Sequence, residues 1–219
     1  DVKEISINTN SEDKWYNVGK QPFSPNMVDL EKYIVKNTGV DDVFLTTKEV
    51  GFALNGFTGR KIIISRRAQN DPFIDLDSHE IDQAIILYGN DTSKRLELLK
   101  KYDVKYLYWD YMWIQSEYQY DDQGKIVGKF DPLAAFYSPE KENELKKYNV
   151  SYIVDTTWFD PAVQGPDVRK FKLIFISPAN YNNFTNPWKN DLEPYLKEVW
   201  HYDNNGQTIA RLYKVEIGD

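Results

Sequence analysis

Leu99-Lys100-Lys101-Tyr102-Asp103-Val104-Lys105-Tyr106-Leu107 returns further along the chain as Leu145-Lys146-Lys147-Tyr148-Asn149-Val150-Ser151-Tyr152-Ile153. Each copy reads as the tail of an amphipathic helix, a polar reversal and a buried strand. The aromatic and branched residues after the reversal suit a pleated surface better than a helix. A helix feeding a strand twice over predicts crossover connections and hence an α/β fold. The expected form is a mixed, largely parallel central sheet flanked by helices, with strands 105–109 and 151–155 side by side in one layer.

The flanking sequence fits that plan. Ser24-Pro25 opens a helix whose apolar stripe is Met27, Leu30, Tyr33 and Ile34, closed by Gly39. Val43 to Thr46 reads as a strand, Thr47 as the cap of a helix stopped by Gly59, and Lys61 to Ser65 as a strand apolar on both faces. Asp77-Ser78-His79-Glu80 resembles a capping box, with Ile81, Ala84, Ile85 and Tyr88 forming one helical face behind it. Asp121-Asp122-Gln123-Gly124 and Asp203-Asn204-Asn205-Gly206 are turn signals, which predicts antiparallel hairpins over 118–130 and at the C-terminus. Residues 1–23 read as an irregular lead-in and 110–140 as an insertion. No linker composition divides the chain, so residues 1–219 are expected to form a single domain.

A formal charge of −7 argues against a nucleic-acid partner and against charge-driven docking on an anionic membrane. No run approaches the roughly 18 apolar residues of a membrane span. The chain has no Cys, so there is neither a disulfide framework nor a thiolate metal site. It starts at Asp1 without Met, which favours reading it as a piece of a longer protein. Acceptor sequons occur at Asn90, Asn149 and Asn183.

No complete catalytic motif is present. The glycines between Gly51 and Gly59 lie within and after a helix, whereas a phosphate loop sits between a strand and a helix. Asp75, Asp77, His79 and Glu80 form the densest group of potential metal ligands. Acids at a helix N-terminus need no ion, so capping is the favoured reading there. The aromatic load says more: Trp109 and Tyr111 leave the first repeat strand beside Asp110, and Trp158 leaves the second near Asp155. Open α/β sheets place ligand crevices at such strand exits. Flat aromatic faces with carboxylates suit a sugar, because C–H faces stack and hydroxyls need acceptors. Trp109, Asp110, Tyr111, Asp155 and Trp158 are therefore the expected glycan or acceptor contacts, with core or interface packing as the alternative for the aromatics.

The stretch from Asp41 to Trp109 carries a further likeness. Val43-Phe44-Leu45-Thr46-Thr47, Gly51 through Ile62, an acid-rich helix start and Leu98 through Leu107 together resemble the extracytoplasmic C-terminal region of GT-C-type membrane glycosyltransferases. Lipid-phosphate-sugar-dependent mannosyltransferases belong to that group, as do, more distantly, oligosaccharyltransferases of archaeal type. The latter carry Trp-Trp-Asp-Tyr-Gly where this chain has Thr46-Thr47-Lys48-Glu49-Val50-Gly51; its Trp109-Asp110-Tyr111 sits on a different strand. The resemblance implies an extracytoplasmic location and a multi-spanning membrane protein as the remainder. It also implies a role in acceptor or glycan binding, with no catalytic residue, metal or cofactor in this part of the chain. A free-standing sugar-active α/β protein and a pure interaction module are the competing readings. The module predicts an exposed apolar patch around the insertion.

Overall fold

The two repeat strands enter different sheets. The computed structural model describes residues 24–66, 73–123, 125–158 and 170–218, and the lead-in expected over residues 1–23 lies outside them. In chain order the first elements are α1 (Pro25–Asn37), β1 (Val43–Leu45), α2 (Lys48–Thr58), β2 (Lys61–Ile62), α3 (Leu76–Tyr88), α4 (Thr92–Lys101) and β3 (Val104–Asp110). Between the two repeat copies lie α5 (Trp113–Glu117), β4 (Tyr118–Tyr120), β5 (Ile126–Lys129) and β6 (Ala134–Phe136). Then come α6 (Pro139–Lys147), β7 (Tyr152–Trp158), β8 (Lys170–Ile176), a 3-10 turn (Asn190–Tyr195), β9 (Leu196–Asn204) and β10 (Gln207–Val215).

Locally the repeat is real. The helix ends carry matching bonds, Tyr102 N–H to Leu98 O (3.1 Å) and Tyr148 N–H to Glu144 O (3.2 Å). Asp103 and Asn149 then reverse the chain in the same left-handed conformation, with φ of 51° and 52°. Such a conformation suits Asp and Asn among non-glycine residues. Globally the copies part. Strand β3 lies in a five-stranded sheet of order β2-β1-β3-β10-β9, whereas β7 lies in a three-stranded sheet of order β6-β8-β7. This corrects the single-layer expectation. One edge of β3 pairs in parallel with β1, and the other is taken by β10 running antiparallel, so no edge remains for β7. The terminal hairpin fills that place, its turn set by Asn205 and Gly206 with φ of 50° and 77°. The mixed α/β class stands, with β2, β1 and β3 as the parallel part. The hairpin expected over 118–130 is β4 paired with β5.

Alternation along the five-stranded sheet produces two cores. Phe44, Tyr108, Trp200, Ala210 and Leu212 face α1 and α2. Leu45, Leu107, Trp109 and Tyr213 face the other way, into a larger core shared with Ala135, Ile174 and Ile176 of the second sheet. Helix α3 belongs to that larger core and packs on β6. It is covered nearly all round, with Ile81 through Tyr88 all buried, where the spacing predicted one apolar stripe. Its N-cap is Asp75, accepting from Ser78 N–H, two residues before the expected start. At α2 the expected caps hold: Thr47 accepts from Val50 N–H, and Gly59 closes the helix at φ 68°.

Arg60, buried just beyond that glycine, serves two helix ends at once. Its guanidinium donates to Thr58 O of α2 (3.0 Å) and to Thr38 O (2.9 Å) and Thr38 Oγ1 (2.9 Å) beyond α1. Replacing Arg60 with Ala leaves these carbonyls buried without their donor, and is expected to lower the unfolding free energy by roughly 2 kcal/mol. Urea denaturation of the purified chain measures this, and a loss within experimental error would show that the carbonyls find other donors.

Candidate functional site

Strand β3 ends at a cleft. Its walls are Tyr111 and Met112 beyond β3, Ser24 to Met27 at the start of α1, and Tyr202, Asn204 and Ile209 of the terminal hairpin, with Asp110 also lining it. The volume, about 420 Å³, lies within the range of small-ligand clefts. The cleft sits where the general rule for α/β sheets places a crevice, at the carboxyl end of a strand. Tyr111 is fixed by its N–H on Ile209 O at 2.9 Å, which continues the β3–β10 ladder. Helix α1 starts at the opposite wall without a side-chain cap bond and without an acid in its first turn.

Asp110 is buried and holds two donors. Its Oδ1 accepts from Met112 N–H (2.9 Å) and its Oδ2 from the Tyr108 hydroxyl (3.2 Å). Burial pushes its carboxyl up to about 6, and those two hydrogen bonds oppose the rise only in part. The group therefore changes charge just below neutral pH, facing a cleft walled by tyrosines.

The five residues singled out from the sequence do not share a surface. Trp109 is 1% exposed and faces the larger core, under the Arg211 guanidinium at 5.6 Å. Asp110, its neighbour on the strand, faces the opposite side with Ala210, its cross-strand partner. Asp155 lies on the other sheet, exposed, its carboxylate 2.7 Å from Lys129 Nζ of β5, and that ammonium holds its pKa low. Trp158 pairs with Lys170 through the backbone, and its side chain lies outside the described residues. Among those whose side chains are described, only Asp110 and Tyr111 come together.

The group Asp75, Asp77, His79 and Glu80 diverges as well. Asp75 caps α3, Asp77 accepts from Phe136 N–H (3.1 Å) and pairs with Lys141, and His79 Nδ1 meets Ile63 O at 3.2 Å. Among the described residues no cluster of three or more such side chains could hold a metal ion. Of the sequons, Asn90 and Asn149 are exposed, while Asn183 Oδ1 is buried.

The sequence reading missed a buried charge centre at the carboxyl end of β1. Lys48, in the first turn of α2, is 2% exposed. Its ammonium lies 2.7 Å from Asp131 and 3.5 Å from Glu80, which also accepts from Ala134 N–H. Glu117, at the end of α5, is buried beside them, and its Oε2 has no hydrogen-bond partner among the described residues. Burial raises the Glu117 carboxyl to about 8; Lys48 draws it down while Asp131 and Glu80 push it up. Thr46 carries the chain into this centre and its carbonyl accepts from Gln83 Nε2 at 2.8 Å. The sequence marks Thr47 as a helix cap but carries no signal that Lys48, the residue after it, is buried.

No protein-family model matches the sequence, and no curated protein matches it. Among solved structures, the chain is similar to the C-terminal globular domain of an oligosaccharyltransferase from Archaeoglobus fulgidus. The two are 10% identical, the match covers 90% of this chain and 100% of that one, and the TM-score is 0.41. Among the described residues no helix is long and apolar enough to cross a membrane.

Proposed function

We propose that this chain is an extracytoplasmic domain of a membrane-bound, glycosyltransferase-like protein. Its role is to contact the acceptor or glycan, while the reacting groups belong to the membrane-embedded remainder. The Asp110 cleft carries this reading: a titratable carboxylate, two tyrosines and the amide of Asn204 meet at a strand exit. The sequence likeness from Asp41 to Trp109 to GT-C enzymes supports it independently.

The test is to titrate the isolated chain with an acceptor-type peptide and with neutral oligosaccharides while following Trp fluorescence. Trp200 is a reporter: its ring centroid is 6.5 Å from that of Tyr202, and its Nε1–H donates to Asp29 of α1 at 3.0 Å. A saturable signal in the millimolar range is expected, weakened at least about threefold by Tyr111→Ala. Binding should strengthen from pH 5 to pH 7 as Asp110 ionises through about 6 and becomes a better acceptor, and Asp110→Asn should abolish that pH dependence.

A second reading, an interaction module for the same parent protein, draws on the outer face of the three-stranded sheet. Phe136 and Ile153 are about two-fifths exposed there, next to Leu173 and Phe175, with Phe130 and Val127 exposed on the insertion. No response to any peptide or sugar at about 10 mM would remove the ligand reading and leave this one.

A further inference from the structure

On the opposite side of the five-stranded sheet from Asp110 lies another cleft of about 420 Å³, between the loop after β8 and β10. The loop is closed on itself. Asn180 Nδ2 donates to Thr185 Oγ1 (2.9 Å) and Asn186 O (2.7 Å), and its Oδ1 accepts from Asn182 N–H (2.7 Å). Trp188 anchors the loop in the core, edge-on to Trp113 and Tyr213. What this scaffold presents is Phe184, half exposed at the cleft, its N–H held by Asn182 Oδ1 at 2.9 Å.

The facing wall is polar and carries an excess of negative charge. Arg211 rises from β10 over the Trp109 ring, with Glu198 Oε2 3.4 Å from its Nε. Glu193 accepts from Asn186 Nδ2 at 3.1 Å, and the Asn186 Oδ1 is buried with no hydrogen-bond partner among the described residues. One cation and two carboxylates disfavour a phosphate or an acidic ligand. Amides offer a donor and an acceptor side by side, which matches vicinal hydroxyl pairs, and an exposed phenyl ring matches the C–H face of a sugar. The loop's own bonds lower the ordering cost of binding.

We propose that this cleft is a binding site for a neutral oligosaccharide, with a sugar ring stacked on Phe184 and hydroxyls shared among Asn190, Glu193 and Arg211. The site is separate from the Asp110 cleft and does not depend on what binds there.

The test is a titration of the ¹⁵N-labelled chain with mannotriose, maltotriose and chitotriose, and with trigalacturonate as the acidic control. Saturable amide shifts confined to 180–193 and the neighbourhood of Arg211 are expected for at least one neutral trisaccharide. Phe184→Ala, at an exposed position, should weaken that binding about tenfold and leave the remaining spectrum unchanged; Asn190→Ala should weaken it as well. Shifts confined to the Asp110 cleft would overturn this site while leaving the proposed function standing. Preference for trigalacturonate, or no shift with any sugar at about 20 mM, would overturn it outright.

Discussion

Replacing Lys48 with Met lowers the unfolding free energy by roughly 3–5 kcal/mol at neutral pH, because the change leaves buried carboxylates without their cation. Lys48 and Glu80 are both inaccessible to water, with side-chain exposures of 3% and 0%, and Asp131 is partly covered at 27%. In that setting the ammonium cannot be replaced by solvent. The expected drop in melting temperature is about 6–20 °C for a chain of this length. A companion variant separates charge from packing. Glu80→Gln in the Lys48→Met background removes one of the charges that faced Lys48 yet keeps an acceptor for Ala134 N–H, so it should restore part of the loss. Guanidinium unfolding of the three proteins measures this, and a loss below about 1 kcal/mol for the single variant would mean that the centre is more solvated than its burial indicates.

Glu117→Gln should act in the opposite direction and change the pH dependence. The folded-state pKa, about 8, stands above the ordinary 4.5, so the native state keeps a proton that the unfolded chain releases. The stability linked to this group is complete below about 4.5 and is lost as pH rises to about 8, at about 1.4 kcal/mol per pH unit. Glutamine has the shape of the protonated acid and nothing to titrate. The variant is therefore expected to be more stable than the wild type by about 3 kcal/mol at pH 7, with the gap shrinking toward zero near pH 4.5. Unfolding curves at pH 4.5, 7 and 8.5 test this. Parallel pH profiles for the two proteins would place the titration elsewhere.

The sequence was most informative where structure is local. The caps at Thr47 and Gly59, the Pro-started α1 and the twin reversals at Asp103 and Asn149 were readable because each depends on bonds within a few residues. Which sheet a strand joins depends on competition for edges, and β10, arriving a hundred residues after β3, occupies the edge that the repeat seemed to reserve. Lys48 was illegible for a similar reason: its neighbours Glu80, Glu117 and Asp131 come from α3, α5 and the loop before β6, and nothing adjacent to it marks it as buried. The candidate site was half readable. A strand exit with a carboxylate and an aromatic pointed to Asp110 and Tyr111, but consecutive strand residues face opposite ways, so Trp109 could not join Asp110 on one surface.

Helix α3 has no side left for random drift. Because it is covered on nearly every face and shares one core with residues of both sheets, any shift of α3 against its surroundings would break buried contacts on several sides at once. Sliding either layer would drag isoleucine rows into water.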